Sequence, residues 1–396
     1  MSVPKVDINL YGPEMARDPW PTVKSIRDLA PVVYNERGQW ITANDRVCRH
    51  IMARPQEATM KGVMTSTFGE GAFITMDDRK SHNALRDVWV AAFGKSAVDK
   101  LVPITRRIVN AHLDDALARL EAEGTVDMQP VFCRPIPAHV IAHMMGVDEG
   151  MIATIIRWSD DMANGTVSGH PIDYDNDPHW LRAEQSRADL AAFLLAQVHD
   201  RRDNPGSDLV SMMVHSDIAA TTPDEQMVVN LRQLLFAGNE TTSNWLGHIV
   251  TVLGTRPDIR AELDADRALI PQALEEMLRL FGIVQAVPRM VGDEGMTVAG
   301  AEIPAGAHVM ALVGAAGRDP ARYDDPDTFD IHREPKPHLA FGFGMHTCLG
   351  ATLARMEAAE VANALLDRMP PFRFAEPVSY DSFMLRGPSR LVIERA

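Results

Sequence analysis

The chain is short of cysteine, of positive charge and of long apolar runs. Its three cysteines, Cys48, Cys133 and Cys348, are odd in number and far apart. No disulfide framework follows from that pattern, and a reducing compartment is expected. Lys and Arg together number 39 against 54 Asp and Glu, a formal net charge of −15. Nucleic acid and anionic membranes both select basic surfaces, so neither is expected as a partner. No apolar run reaches membrane-spanning length, and residues 1–10 hold no signal-peptide core, so a cytoplasmic protein is expected. Internal repeats and low-complexity segments are also missing. What remains is an ordinary globular balance, 46% hydrophobic and 23% charged over 396 residues, read as a single domain over 1–396. The 22 methionines are flexible gap-fillers that suit a reshapable pocket, although Met is more often plain core.

The most informative stretch is Phe341-x-x-Gly344-x-His346-x-Cys348-x-Gly350, followed by Leu353-Ala-Arg-Met-Glu357. A lone cysteine in a glycine-rich turn is usually a buried thiol. A thiolate, however, is a soft metal ligand, and a helix starting just after Cys348 would supply free N–H groups and a positive dipole end to hold the anion. Gly344 and Gly350 let the backbone turn tightly and approach a flat cofactor. Phe341 is placed to shield the sulfur from water.

Three other patterns carry chemistry. A helix is expected from Thr222, with Thr222 as N-cap, Pro223 first and Glu225 third, running to about Leu253. On it Leu234, Ala237, Gly238, Thr241 and Trp245 share one face. Gly238 costs about 1 kcal/mol of helix propensity, which either a close helix crossing or a groove for a small molecule would justify. Glu240 and Thr241 place an acid and a hydroxyl beside that groove, as proton delivery to bound oxygen requires. His82 and Arg86, four apart on one helix face, are either a solvated surface or a clamp for carboxylates. Glu276 and Arg279, three apart, are able to pair on another helix.

Together, and in this order, these strings resemble the haem-thiolate signatures of the cytochrome P-450 family. The resemblance runs from His82 to Glu357 and identifies the chain as a member of the type without an N-terminal membrane anchor. It implies a mainly α fold with a smaller β-rich part, a long central helix over haem b and the cysteine loop beneath. Cys348 is then the iron ligand. Phe341, Gly344, His346, Gly350, Ala237 and Gly238 surround the haem, and His82, Arg86 and Arg289 meet its propionates. Glu240 and Thr241 become the catalytic pair for O2. Glu276, Arg279 and Arg333 form a structural network on the proximal side. Substrate candidates are Phe73, Leu234, Ala237, Val284, Val287, Phe383 and Met384, with Met60, Met64, Phe68, Ile74, Gly282 and Ile283 as further pocket positions. The family usually has Asn where Gly317 stands, a departure expected to lie far from the chemistry.

The activity implied is insertion of one atom of O2 into a hydrophobic small molecule. Alternatives are a peroxygenase or isomerase, and a non-catalytic haem sensor. The retained Glu240–Thr241 pair speaks against all three. No redox domain fits beside the fold in this length, so a separate ferredoxin with an NAD(P)H-dependent reductase is expected, and a monomer. The segment 79–107 is basic in an acidic chain, with Arg79, Lys80, Arg86, Lys95, Lys100, Arg106 and Arg107. It reads as a solvated helix face or as a docking patch for that donor. Remaining expectations are an irregular 1–31 with one helix at 21–29, a hairpin at 32–42, a helix at 45–52 and a loop at 54–75. Helices are expected at 103–123, 135–146, 149–164 and 180–202, a lid at 165–178, and a strand from 281 to 287.

Overall fold

The structure is a computed structural model and describes residues 3–167 and 176–396. Helices dominate it. The longest, Asp224–Thr255, runs through the middle; the helices Pro135–Met144, Pro178–Asp203 and Ala351–Arg368 pack on it, and Lys95–Glu123 packs on Pro135–Met144 and Ala351–Arg368. A six-stranded sheet lies to one side. Its strands follow the order Lys5–Val6, Val33–Asn35, Gln39–Thr42, His308–Ala311, Val287–Val291, Ala58–Thr59. The expected hairpin is there, with Tyr34 paired to Trp40, and so is the helix Asp45–Ala53, capped by Asn44.

The central helix serves two cores. Leu231, Leu234, Leu235 and Phe236 belong to one apolar cluster, and Trp245, Leu246, Ile249 and Val250 to another. Between them, positions 237–244 carry only small and polar residues. A helix buried at both ends and unfilled in its middle leaves space beside that middle, because neighbouring helices are held at a distance by the larger side chains above and below.

Several expectations change. Residues 3–31 are more regular than their prolines suggested: they hold the strand Lys5–Val6 and the helices Pro13–Arg17 and Trp20–Leu29. The 54–75 loop contains the strand Ala58–Thr59 and the short helices Thr65–Phe68 and Phe73–Thr75. The helix expected from 103 begins at Lys95 and carries Pro103 inside it; packing outweighs the lost hydrogen bond. The central helix starts at Asp224 with Pro223 as cap residue, and the Thr222 hydroxyl bonds back to the Ile218 carbonyl at 2.8 Å instead of capping. The strand expected at 281–287 starts only at Val287, because the preceding helix Ile270–Phe281 ends at Gly282, whose φ is +58°. The lid expected at 165–178 lies largely outside the described residues; Gly165 still belongs to the helix Ile152–Val167, and Pro178 opens the next one.

Candidate active site

One cavity of about 620 Å³ opens beside the middle of the central helix. On one wall stands the cysteine loop. Gly342 and Gly344 both take left-handed backbone (φ +78° and +76°), and a Cβ on Gly344 would come within 2.9 Å of the Met52 carbonyl. These two turns bring the Cys348 amide back onto the Phe341 carbonyl at 2.8 Å. The helix Ala351–Arg368 begins three residues after Cys348. Cys348 lies deep in the protein, yet its side chain is open to the cavity. Burial pushes its thiol up, while the Gly350 amide, Arg86 and Arg355 favour the thiolate. The Phe341 ring lies between the Trp245 edge, at 6.1 Å, and the Arg355 guanidinium, at 4.3 Å.

The facing wall is the gap in the central helix. Ala237, Gly238, Glu240 and Thr241 all line the cavity. The nearest atom a Cβ on Gly238 would meet is on Ile141, 3.8 Å away, so the glycine is not demanded by a tight crossing there. The Thr241 hydroxyl donates to the Ala237 carbonyl at 2.8 Å. Burial raises the Glu240 carboxyl, and Arg134, ion-paired to Asp160 at 2.6 Å, opposes that shift.

The third feature is an edge rich in donors. His82 and His346 meet ring to ring at 4.9 Å, and Arg86 lines the cavity. Arg289 is 1% exposed, and burial holds its guanidinium down at about 10. His82 Nε2, both ring nitrogens of His346 and Arg289 Nε are buried with no partner among the described residues. His346 is pushed to about 3 by burial, then by Arg289, His82 and Arg86. Orphaned buried donors are costly unless an acceptor meets them. An anionic, flat cofactor with a soft metal would satisfy the edge, the thiol and the glycine-lined walls together. The residues present therefore fit a haem.

Behind the cysteine loop lies the expected network. Arg279 donates to both oxygens of Glu276 at 2.5 and 2.7 Å, and to the carbonyls of Gly317, Pro326 and Thr328. Arg333 and the Asp330 amide complete Glu276 at 3.1 and 3.0 Å. Gly317 is thus part of this network: its carbonyl accepts from Arg279, and a side chain on it would run into the Arg279 carbonyl.

Of the substrate candidates, Phe73, Leu234, Ala237, Val284, Val287 and Met384 line the cavity, as do Met60, Met64, Phe68, Ile74 and Ile283. Phe383 does not: it is 2% exposed inside the apolar cluster around Leu10, Ile26 and Val33. Both residues sit in a bend of the tail; Met384 reaches the cavity while also packing against that cluster, and Phe383 is buried within it. Gly282 also stays out of the lining, as do Gly344, His82 and Arg289; these three act from behind it. Sequence reasoning missed Gln233, Phe236, Thr242 and Leu385 as lining residues, and Glu357 above all.

Glu357 is 2% exposed, and burial lifts its carboxyl to about 8, with Oε2 unpaired among the described residues. In the unfolded chain it ionises near 4.5. The folded pKa is the higher one, so the unfolded state releases its proton first as pH rises. Stability is therefore lost between about pH 4.5 and 8, by up to roughly 5 kcal/mol. Glu357→Gln is expected to remove this slope. Denaturation midpoints of the variant should exceed those of the parent at pH 8 and converge with them near pH 4.5; parallel curves across that window would contradict the assignment.

Comparison with known proteins places these features together. The family described as cytochrome P-450 matches residues 46–374. The cytochrome P-450 monooxygenase PikC of Streptomyces venezuelae is 31% identical, over 99% of this chain and 94% of its own. The vitamin D3 dihydroxylase of Streptomyces griseolus is 32% identical, over 87% and 84%. Among solved structures, CalO2 superposes with a TM-score of 0.88 at 27% identity, over 98% and 99% of the two chains.

Proposed function

The chain belongs to the cytochrome P-450 family and is a haem-thiolate monooxygenase, and from that premise we propose which of its residues do the work. Cys348 holds the iron; the Gly350 amide and the positive end of the following helix stabilise its anionic sulfur. Arg86, Arg289, His82 and His346 take the propionates, which meet the unpaired donors of that edge. Bound there, the haem supplies the activation of O2 and the transfer of one oxygen atom to substrate, the other leaving as water.

The rest falls to the protein. Ala237 and Gly238 keep the central helix low enough for a diatomic molecule to sit against it. Thr241 orients water and passes a proton from its hydroxyl oxygen. Glu240, raised by burial, resupplies that proton from the side of Arg134 and Asp160. Phe73, Leu234, Val284, Val287 and Met384 exclude water and hold an apolar substrate. The observation that carries this reading is the Cys348 side chain open to a cavity whose facing wall is the Ala237–Thr241 gap. The acid–hydroxyl pair on that wall favours O2 over peroxide as oxidant.

Electrons come from a separate ferredoxin-type donor with an NAD(P)H-dependent reductase, to a monomeric enzyme in the cytoplasm. Ion pairing within the basic segment supports a smaller docking patch. Arg86 belongs to the cavity, Lys95 is paired with Asp99 at 2.9 Å, and Arg106 with Glu360 at 2.8 Å. Arg79, Lys80, Lys100 and Arg107 stay exposed, with no ion pair to them among the described residues, and supply the charge that steers an acidic donor. No helix among the described residues is long and apolar enough to cross a membrane.

The test is consumption of O2 and reductant with product formation. Thr241→Ala is expected to keep reductant consumption within about threefold while product per reductant falls by about a hundredfold, the low end of what a positioned proton donor contributes. Unchanged coupling would remove Thr241 from the proton path.

A further inference from the structure

Gln233 lines the cavity from the central helix, eight residues before Thr241, and neither the haem edge nor the proton path uses it. It is 4% exposed. At the helical rise per residue the two positions lie about 12 Å apart along the axis. The lining around Gln233 is apolar. Leu234 is beside it, Phe236 follows one turn on, and the Phe68 ring meets Phe236 edge-on at 5.8 Å.

The orientation of its amide is fixed from outside the helix. The Ile74 amide donates to Gln233 Oε1 at 3.3 Å, and next to it the Phe73 amide donates to Asn230 Oδ1 at 2.9 Å. The backbone at 73–74 is thereby tethered twice to the central helix. Only the oxygen of a side-chain amide accepts from an N–H, so Oε1 faces Ile74 and Nε2 is turned away from it. Nε2 has no hydrogen-bond partner among the described residues and is not sealed off from probes the size of water. On a residue that lines the cavity, it is a donor left open there.

An apolar substrate that fills the cavity displaces water from this wall. Nε2 then depends on the substrate for an acceptor, and a buried donor left without one is expensive. A site built to hydrogen-bond a substrate rejects the analogue that lacks the matching group. The amide carries no charge to offset a carboxylate, so the fitting acceptor is a neutral oxygen, as in a ketone, a lactone or an ester. Tyr11, Gln39 and His308 also line the cavity, but they are half-buried or exposed and water serves them.

We propose that Gln233 is a specificity-determining residue, whose Nε2 donates to a neutral carbonyl oxygen of the substrate. The enzyme therefore oxidises an apolar carbonyl compound at a carbon remote from that oxygen, on the order of 10 Å from it by the helical rise between Gln233 and Thr241. This rests on the monooxygenase reading of the cavity and narrows its substrate class.

The experiment is a spectral titration of the haem-loaded enzyme. The probes are methyl undecyl ketone, cyclopentadecanone and cholestanone, each against its parent hydrocarbon, so that linear, macrocyclic and steroid skeletons are sampled. At least one ketone is expected to bind about tenfold or more tighter than its hydrocarbon. Gln233→Leu should bring that ratio to within about twofold of unity, weakening the ketone and leaving the hydrocarbon bound equally or more tightly, because the unmet donor is gone. A purely structural role, the tether on Ile74, would weaken both ligands together and leave the ratio intact. Gln233→Met, unbranched and closer in shape, decides the matter where Gln233→Leu fails to fold. On turnover, the favoured ketone should be oxidised away from its carbonyl. The proposal is overturned by the absence of any ketone preference, by a preference that survives the substitutions, or by oxidation beside the carbonyl. The reduced, carbon monoxide-treated spectrum of the same samples separates those outcomes from a failure of the haem-thiolate assignment.

Discussion

Cys348→Ala is expected to abolish the far-red Soret band of the reduced, carbon monoxide-treated protein and to cut monooxygenase turnover by at least about a thousandfold. That corresponds to roughly 4 kcal/mol of barrier. A neutral ligand does not donate electron density as a thiolate does, and that donation is what favours oxygen–oxygen cleavage. The substitution isolates the chemistry from the fold. The loop is held by backbone contacts, the Cys348 amide to the Phe341 carbonyl and the Thr347 amide to the Gly344 carbonyl, and the sulfur itself faces the cavity. The variant should therefore fold with an unchanged circular dichroism spectrum. A Cys348→Ala protein that kept the far-red band and normal turnover would end the haem-thiolate assignment for this residue.

Arg279→Ala is expected to prevent haem incorporation altogether. Arg279 is 3% exposed and donates to Glu276 and to three backbone carbonyls. Its removal would leave Glu276 buried with Arg333 and one amide, and the Gly317, Pro326 and Thr328 carbonyls without that donor. Breaking one partner of such a network costs about 3–5 kcal/mol, a large part of the stability of an ordinary domain. The segment held by those carbonyls leads into the cysteine loop, so the loop loses its support with them. Arg279→Lys should fail as well, because an ammonium cannot serve a carboxylate and three carbonyls in one plane. The measurement is haem content and the fraction of protein that stays in solution after expression. A haem-replete, stable Arg279→Ala protein would show that the network is not what holds the proximal side.

Both predictions were accessible before any coordinates, and for the same reason. Cys348, its flanking glycines and the helix after it form a local device, in which sequence spacing alone sets the turn and the dipole. The Glu276–Arg279 pair is local too, one helical turn. Arg333 joined it only through the order of strings along the resembled family. The small residues at 237–244 were likewise readable, since a helix face is a periodicity of 3.6 residues.

Other features depend on contacts between distant segments. The tail placed Phe383 and Met384 together as substrate contacts, and only packing against Leu10, Ile26 and Val33 turned Phe383 away. The basic segment 79–107 looked uniform, until Glu360 on a helix more than 250 residues later neutralised Arg106. Pro103 argued for a helix boundary that tertiary packing overrode. Glu357, one more glutamate on an amphipathic helix, became a buried carboxyl facing the cavity.

The amino-acid sequence by itself, through motifs that resemble a known family, pointed to a metal-binding thiolate and a small-residue gap in a central helix, because both are carried by short-range patterns. The tertiary structure decided which charges are spent on one another and which are buried with donors unpaired among the described residues. Burial and pairing depend on residues brought together from opposite ends of the chain, and no local pattern records them. Arg232 marks the difference: one more arginine on a helix in the sequence, it is 7% exposed in the fold, with Nε unpaired among the described residues.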